Sequence, residues 1–258
     1  MKMIEDSKLK QELNKLERRE KYFLNKNVVE GNLKAKIHEK IPENLEETLN
    51  SAFIKAFEII FNKGTTIIEK SFDKEKINLE YEVNKFMLDY KEDKTNIKKL
   101  DKYSKKTNLV NNLITTSVGT GMGILGFGIP DIPLFVATIL RGIYQISLSY
   151  GFDYKNEKER IYILRLIRIA LSKTVDEKKQ YNEELKDEKS YNAKLGDEIK
   201  TTAKIMANAL LIEKFIQGIP VVGAVGGIVN NSIYRKISNF CMIKYKKRYL
   251  INKLNNKI

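Results

Sequence analysis

Cysteine is almost absent. Cys241 stands alone in 258 residues, which excludes an internal disulfide framework and fits a reducing compartment. Histidine is as scarce. His38, in the charged segment KAKIHEK, has no second histidine at metal-ligand spacing, so it reads as a surface residue rather than a ligand. Cys241 itself sits on the apolar stripe of NFCMIKY and reads as a buried structural thiol. Only four prolines are present, and runs of alternating β-branched residues are few. Both shortages point away from sheet and toward an all-α class. The first residues, MKMIEDSKLKQELNKLERREKYF, lack the apolar run of a signal peptide, so cytoplasmic synthesis without export is expected.

Charge is missing from two places and abundant elsewhere. From Thr107 to Glu157 the only charged residues are Asp131, Arg141, Asp153, Lys155 and Glu157, in a chain that is 31% charged. That block is expected to be buried, in protein or in lipid. Residues 235–258 lack acids altogether and carry eight basic residues, more than half of the net charge of +14. An anionic partner such as an anionic membrane surface fits this charge, and the basic end reads equally as a terminal helix docked on the protein with its charges in water. No helix-turn-helix, zinc or RNA-binding signature accompanies the charge, so nucleic acid is not favoured.

What is present reads as helix. Residues 1–35 form a charged N-terminal helical segment, and 36–258 a second unit with a basic tail. In ENLEETLNSAFIKAFEIIFNKG the apolar positions Leu45, Leu49, Phe53, Phe57 and Ile60 recur at helical spacing, and Gly64 is expected to close the helix in a left-handed cap. In residues 74–92, Ile77, Leu79, Tyr81 and Val83 alternate as in a strand, whereas Val83, Phe86, Met87 and Tyr90 follow helical spacing, and the segment is assigned to helix. NEKERIYILRLIRIALSK predicts a helix with Ile161, Leu164, Ile167 and Leu171 on one side and Arg160, Arg165 and Arg168 elsewhere on its surface. Residues 174–200 read as one long solvated helix, and 201–217 as another.

The glycines need weighing. Gly121, Gly123 and Gly126 spell G-x-G-x-x-G, but Pro130 follows four residues later and no acid lies between Asp131 and Asp153. A dinucleotide site needs a strand before, a helix after and an acid about twenty residues on. No lysine follows as in a P-loop, and no cofactor is expected. Packing explains the glycines better: Gly119 with Gly123, and Gly223 with Gly227, are G-x-x-x-G pairs, which leave a flat strip where another helix can approach. Gly126, Gly128 and Gly226 extend these strips. Five glycines between 119 and 128 at about 1 kcal/mol each in a helix call for such a compensating contact. Pro130 then ends one arm, Asp131 caps the next, and Pro133 fits its first turn. The fold expected is an all-α, multi-helix domain built around two Gly-rich apolar hairpins, about 109–150 and 201–250, with Gly151 capping the arm that ends at Tyr150.

Arm one, Thr107 to Ile129, is long enough to span a bilayer. Arg141, near the middle of the second arm, argues against a simple span, because an unpaired arginine there costs on the order of 3 kcal/mol. It must find an acid, a carbonyl or a lipid phosphate. Arg141 and Asp153 are therefore the candidate functional polar residues, and Lys244, Lys246, Lys247 and Arg248 the candidate contacts to an anionic surface.

GTGMGILGFGIPDIPLFVATILRGIYQISLSYGFDYKNEKERIYILRLIRIAL resembles the signature block of the EcsC family: a Gly-rich segment, Asp-Ile-Pro, an apolar helix with Leu-Arg, Tyr-Gly-Phe-Asp and a Glu-Arg helix. IPVVGAVGGIVNN, followed by a helix ending KKRYL, resembles the family's C-terminal region. The likeness runs from about Lys36 to Leu250. Thr116, Ser117 and Val118 depart from the acidic or small residue expected before the glycines. The resemblance implies a bacterial protein whose family is named from an operon that also encodes an ABC transporter, and it supplies no reaction. The expectation is a non-enzymatic, membrane-associated accessory or lipid-binding protein, with a membrane protein such as a transporter as partner. Two alternatives stand beside it: an enzyme acting on a lipid-like substrate through Asp131, Arg141 and Asp153, and a soluble helical interaction module.

Overall fold

The computed structural model describes residues 2–26, 43–101, 131–186, 193–216 and 231–256, and within them every regular element is helical. In chain order these are α1 (Lys2–Leu24), α2 (Glu43–Ile59), a π-helical turn (Ile60–Gly64), α3 (Thr65–Glu69), α4 (Lys74–Tyr90) and α5 (Lys94–Lys99). There follow α6 (Asp131–Ser149), α7 (Glu157–Leu171), α8 (Val175–Glu184), α9 (Leu195–Ile216) and α10 (Asn231–Asn255). The first arm of the 109–150 hairpin lies outside the described residues, with Gly119, Gly121, Gly123, Gly126, Gly128 and Pro130. So do the glycines of the second apolar stretch, Gly223, Gly226 and Gly227, and the lone His38. The expected close packing of Gly119 with Gly123 and of Gly223 with Gly227 therefore falls on residues that the structure does not describe.

Local chemistry sets the helix starts. Asp73 accepts from the Lys76 amide, Asp93 from the Asn96 amide and Asn156 from the Lys158 amide, so three helices open on side-chain caps. Thr174 and Glu177 form a reciprocal capping box at the start of α8. α6 begins at Asp131 with Pro133 in its first turn, and Gly151 after its end takes φ +78, the left-handed cap expected there.

Five helices close a cycle: α2 packs on α9, α9 on α7, α7 on α10, α10 on α6 and α6 on α2. α1 lies along α10, and α4 covers α6 with α5 against it. The buried stripe of α2, Leu49, Phe53, Phe57 and onward to Ile60, is the periodic set read from the sequence. α6 is buried nearly all round. Three of its hydroxyls are satisfied within the helix: Thr138 donates to the Leu134 carbonyl, Ser147 to Tyr144 and Ser149 to Gln145. Ile132–Ser149 has a mean hydropathy of 1.4, enough by length and composition to cross a bilayer, and 94% of it is buried inside the protein.

Three sequence expectations need correction. Gly64 does not end its helix. It stays right-handed at φ −83 and the chain runs on through the π turn into α3, with the Thr65 hydroxyl bonded to the Ile60 carbonyl five residues back. The stretch 174–200 is not one solvated helix. α8 stops at Glu184, α9 begins at Leu195, and Lys178 and Asn182 are buried. Arg165 and Arg168 are not on the surface of α7, being 3% and 4% exposed.

Candidate functional site

Arg141 occupies the middle of α6 and is 7% exposed. Its Nε donates to Ser71 Oγ at 2.9 Å and its Nη2 to the Ser71 carbonyl at 2.8 Å. Ser71 lies just past the end of α3, where outward carbonyls carry partial negative charge and favour a cation. Burial lowers the guanidinium pKa, yet arginine remains charged. Of the partners foreseen, a carbonyl is the one found. Asp153 is exposed and its Oδ1 accepts from the Lys155 amide at 3.0 Å, a turn that leads into α7. The hydrogen bonds of Arg141 and Asp153 thus go to separate partners and do not gather one polar site. Of Asp131 the structure gives the backbone alone, at the start of α6.

The cations near the C-terminus lie against acids from distant parts of the chain. Lys244 Nζ donates to Glu20 at 2.7 Å and to Asn182 at 3.0 Å, and Lys247 reaches the other oxygen of Glu20 at 2.8 Å. Lys246 joins Glu12 at 2.7 Å to Asp101 at 2.9 Å, and Asp101 accepts the Tyr150 hydroxyl. Arg248 holds both oxygens of Glu159, at 3.0 and 2.8 Å, with its guanidinium over the rings of Phe152 and Tyr162. The buried Tyr245 hydroxyl donates to the same carboxylate at 2.8 Å. Burial would lower the Arg248 pKa, but Glu159 outweighs it and raises it. Lys244 is the reverse case: burial lowers its pKa despite Glu20. One face of α10 is therefore a charged seam to α1 and α7.

A second buried charge cluster escaped the sequence reading. Arg165 donates twice to Glu198 Oε1, at 2.9 and 2.6 Å. Arg168 bridges Glu184 at 2.8 Å and Glu198 at 3.2 Å, with Tyr181 under its guanidinium. It joins α7, α8 and α9. The signal that could have found it is α7 itself: a helix apolar on every face is buried, so its arginines must be too.

Between α4 and α10 a groove of about 400 Å³ is lined by Tyr81, Lys85, Tyr150, Phe152, Tyr249 and Lys253 among others. Asp89 also lines it and is paired with Lys253, and among its lining residues there is no Ser, Cys, Thr or His. Cys241 is fully buried, and burial pushes its thiol pKa far up, which leaves it inert. Among the described residues no group of three or more His, Cys, Asp or Glu is placed to hold a metal.

The family model described as EcsC protein family matches residues 7–250. The chain belongs to the EcsC family. It is 24% identical over 208 residues to Protein EcsC of Bacillus subtilis (strain 168), covering 80% of this chain and 79% of that protein. It is 27% identical over 153 residues to Uncharacterized protein YdbA of the same strain, covering 57% of this chain and 56% of that one. No solved structure matches. The EcsC match begins inside α1, earlier than the likeness read from the sequence, and α1 packs along α10. In this EcsC chain α1 supplies Glu12 and Glu20 to the seam of α10.

Proposed function

We propose that this EcsC chain is a membrane-associated, non-catalytic accessory protein, attached through its two glycine-rich apolar stretches. One observation carries the reading: α6 and α10 run side by side in the same sense. Gly142 of α6 lies against Tyr234 near the start of α10, and Tyr150 at the far end of α6 lies near Tyr249. The starts of the two helices therefore share one end of the molecule. The charge-free sequences 107–130 and 217–230 lead into those two starts. Glu213, near the end of α9, meets Lys236 at the same end, and Arg235 is exposed there.

The cations Lys244 to Arg248 lie roughly 20 Å or more along α10 from that end at 1.5 Å per residue, and they are held by acids of the chain. Attachment in this reading rests on apolar insertion, with Arg235 adding attraction to anionic lipid. A membrane protein such as a transporter is the partner class it points to.

The test is fractionation of expressing cells with salt and alkaline carbonate washes, together with flotation on vesicles of phosphatidylglycerol and phosphatidylcholine. Retention through carbonate is expected, and Leu125→Asp with Phe127→Asp should release the protein while Lys247→Glu should not. Recovery of the unaltered chain in the soluble fraction would overturn the proposal.

A further inference from the structure

α4 buries one face and leaves an apolar face uncovered. Ile77 and Leu88 are buried against the protein. Leu79, Val83, Phe86 and Tyr90 are 66%, 52%, 69% and 81% exposed. At about 100° per residue these four fall within roughly 60° of arc, opposite the buried side. Their spacing of four, three and four residues is that of a coiled-coil seam, about three helical turns long. Four large exposed apolar side chains in one row are a patch rather than scattered surface residues.

The charges beside the row say what can cover it. Glu75, Glu82 and Asp89, seven residues apart, line one edge, and Glu80 stands on the other with Lys76 and Met87. Glu82 has a neighbour in Lys85 at 3.8 Å and Asp89 one in Lys253, yet both acids stay more than half exposed, at 64% and 52%. A second copy of α4 fits poorly. Antiparallel pairing sets the acidic edges against each other, and parallel pairing sets Glu75 against Glu80 of the other copy. An anionic bilayer is repelled by the same acids.

We infer that α4 is a docking surface for an amphipathic helix of another protein, one with apolar residues at a and d spacing and Lys or Arg beside them. The partner's apolar seam covers Leu79, Val83, Phe86 and Tyr90, and its cations meet the Glu75–Glu82–Asp89 edge. The aromatic groove between α4 and α10 borders that edge through Lys85 and Asp89. This surface is independent of the membrane attachment proposed above.

The experiment titrates the full chain into a fluorescein-labelled 21-residue helical peptide with Leu and Ile at a and d, Lys at e and g, and no acid, read by anisotropy at 50 mM salt. A control peptide carries Glu at e and g. The chain's net charge of +14 repels the basic peptide overall, so preference for it reports the local acidic edge. Binding of the basic peptide at least tenfold tighter than the acidic one is expected. Phe86→Asp should reduce it tenfold or more, and Glu75→Lys with Glu82→Lys should reverse the preference. Tyr22→Asp, at an exposed aromatic on α1, should change nothing. Circular dichroism of each variant checks folding, with Val83→Ser as the milder alternative to Phe86→Asp.

Equal binding of both peptides, or none, overturns the proposal. A dimer seen by sedimentation that Phe86→Asp dissociates gives the surface to a second copy and overturns it, as does vesicle binding lost in that variant.

Discussion

Glu20 of α1 and Lys244 of α10, 224 positions apart in the chain, meet at 2.7 Å with both side chains more than nine-tenths buried. Removing one partner of such a pair leaves an uncompensated charge in the interior, which costs about 3–5 kcal/mol. Glu20→Ala is expected to lower the unfolding free energy by about 3 kcal/mol or more, read from urea titration. Glu20→Leu combined with Lys244→Leu should regain most of the loss. A cost under about 1 kcal/mol would show that water reaches the pair.

The same pair sets an acid limit. Burial raises the Glu20 carboxyl, but Lys244 and Lys247 outweigh it and hold it below its ordinary 4.5. Glu12 is lowered in the same way beside Lys246 and Lys15. A carboxylate whose folded pKa lies below the unfolded one binds fewer protons folded, so its stabilisation is complete above about pH 4.5 and fades as pH falls through the folded value. Unfolding free energy measured between pH 6 and 3 should fall most steeply below pH 4.5, and Glu20→Gln should flatten that fall.

Lys178 gives a slope of the same sign at alkaline pH, but from a buried charge that destabilises the fold rather than one that supports it. Its amine, 2% exposed, caps the end of α1 by donating to the Lys26 carbonyl at 2.6 Å, with Phe23 alongside. Burial pulls it from 10.5 down to about 8. Below that value the fold holds a buried cation. Between about 8 and 10.5 the unfolded chain binds more protons, so stability from this group rises with pH, by at most about 1.4 kcal/mol per unit. The stability of the native chain relative to Lys178→Met should therefore increase from pH 7.5 to 9.5, and a flat difference would place the amine in contact with water.

Two glycines separate crowding from backbone strain. A Cβ on Gly142 would fall 2.4 Å from the Tyr234 hydroxyl and 2.9 Å from its ring, whereas Gly151 combines φ +78 with the Tyr81 ring at 2.3 Å. Gly142→Ala should destabilise by about 1–3 kcal/mol and be relieved by Tyr234→Leu. Gly151→Ala should lose a similar amount, and Tyr81→Leu should restore only part of it because the left-handed backbone remains. Thermal melts of the two double variants distinguish the cases.

Features set by neighbouring residues were legible in the sequence. Pro133 and Gly151 bracket α6 because a fixed φ and a free one act within a single turn, and the stripe of α2 follows from its period. Gly64 misled because its permissiveness allows a cap without requiring one, and a continuing helix buries Ile60 and Phe61 instead. Arg165 looked like a surface residue because its partner Glu198 lies 33 positions on. Lys244, Lys246, Lys247 and Arg248 read as a surface patch because Glu12, Glu20 and Glu159 are brought to them by folding alone. The row on α4 was visible as Val83, Phe86 and Tyr90 at helical spacing, but which side of the helix faced the protein depended on α6.

The seam between α1 and α10 also has a clock. Ribosomes add about 5–20 residues per second, so the helix that carries Glu20 exists for roughly ten to fifty seconds before Lys244 has been made. Through that interval Leu9 and Leu16, fully buried in the finished protein, have no α10 to cover them. Synthesis of the last helix is the event that seals the first.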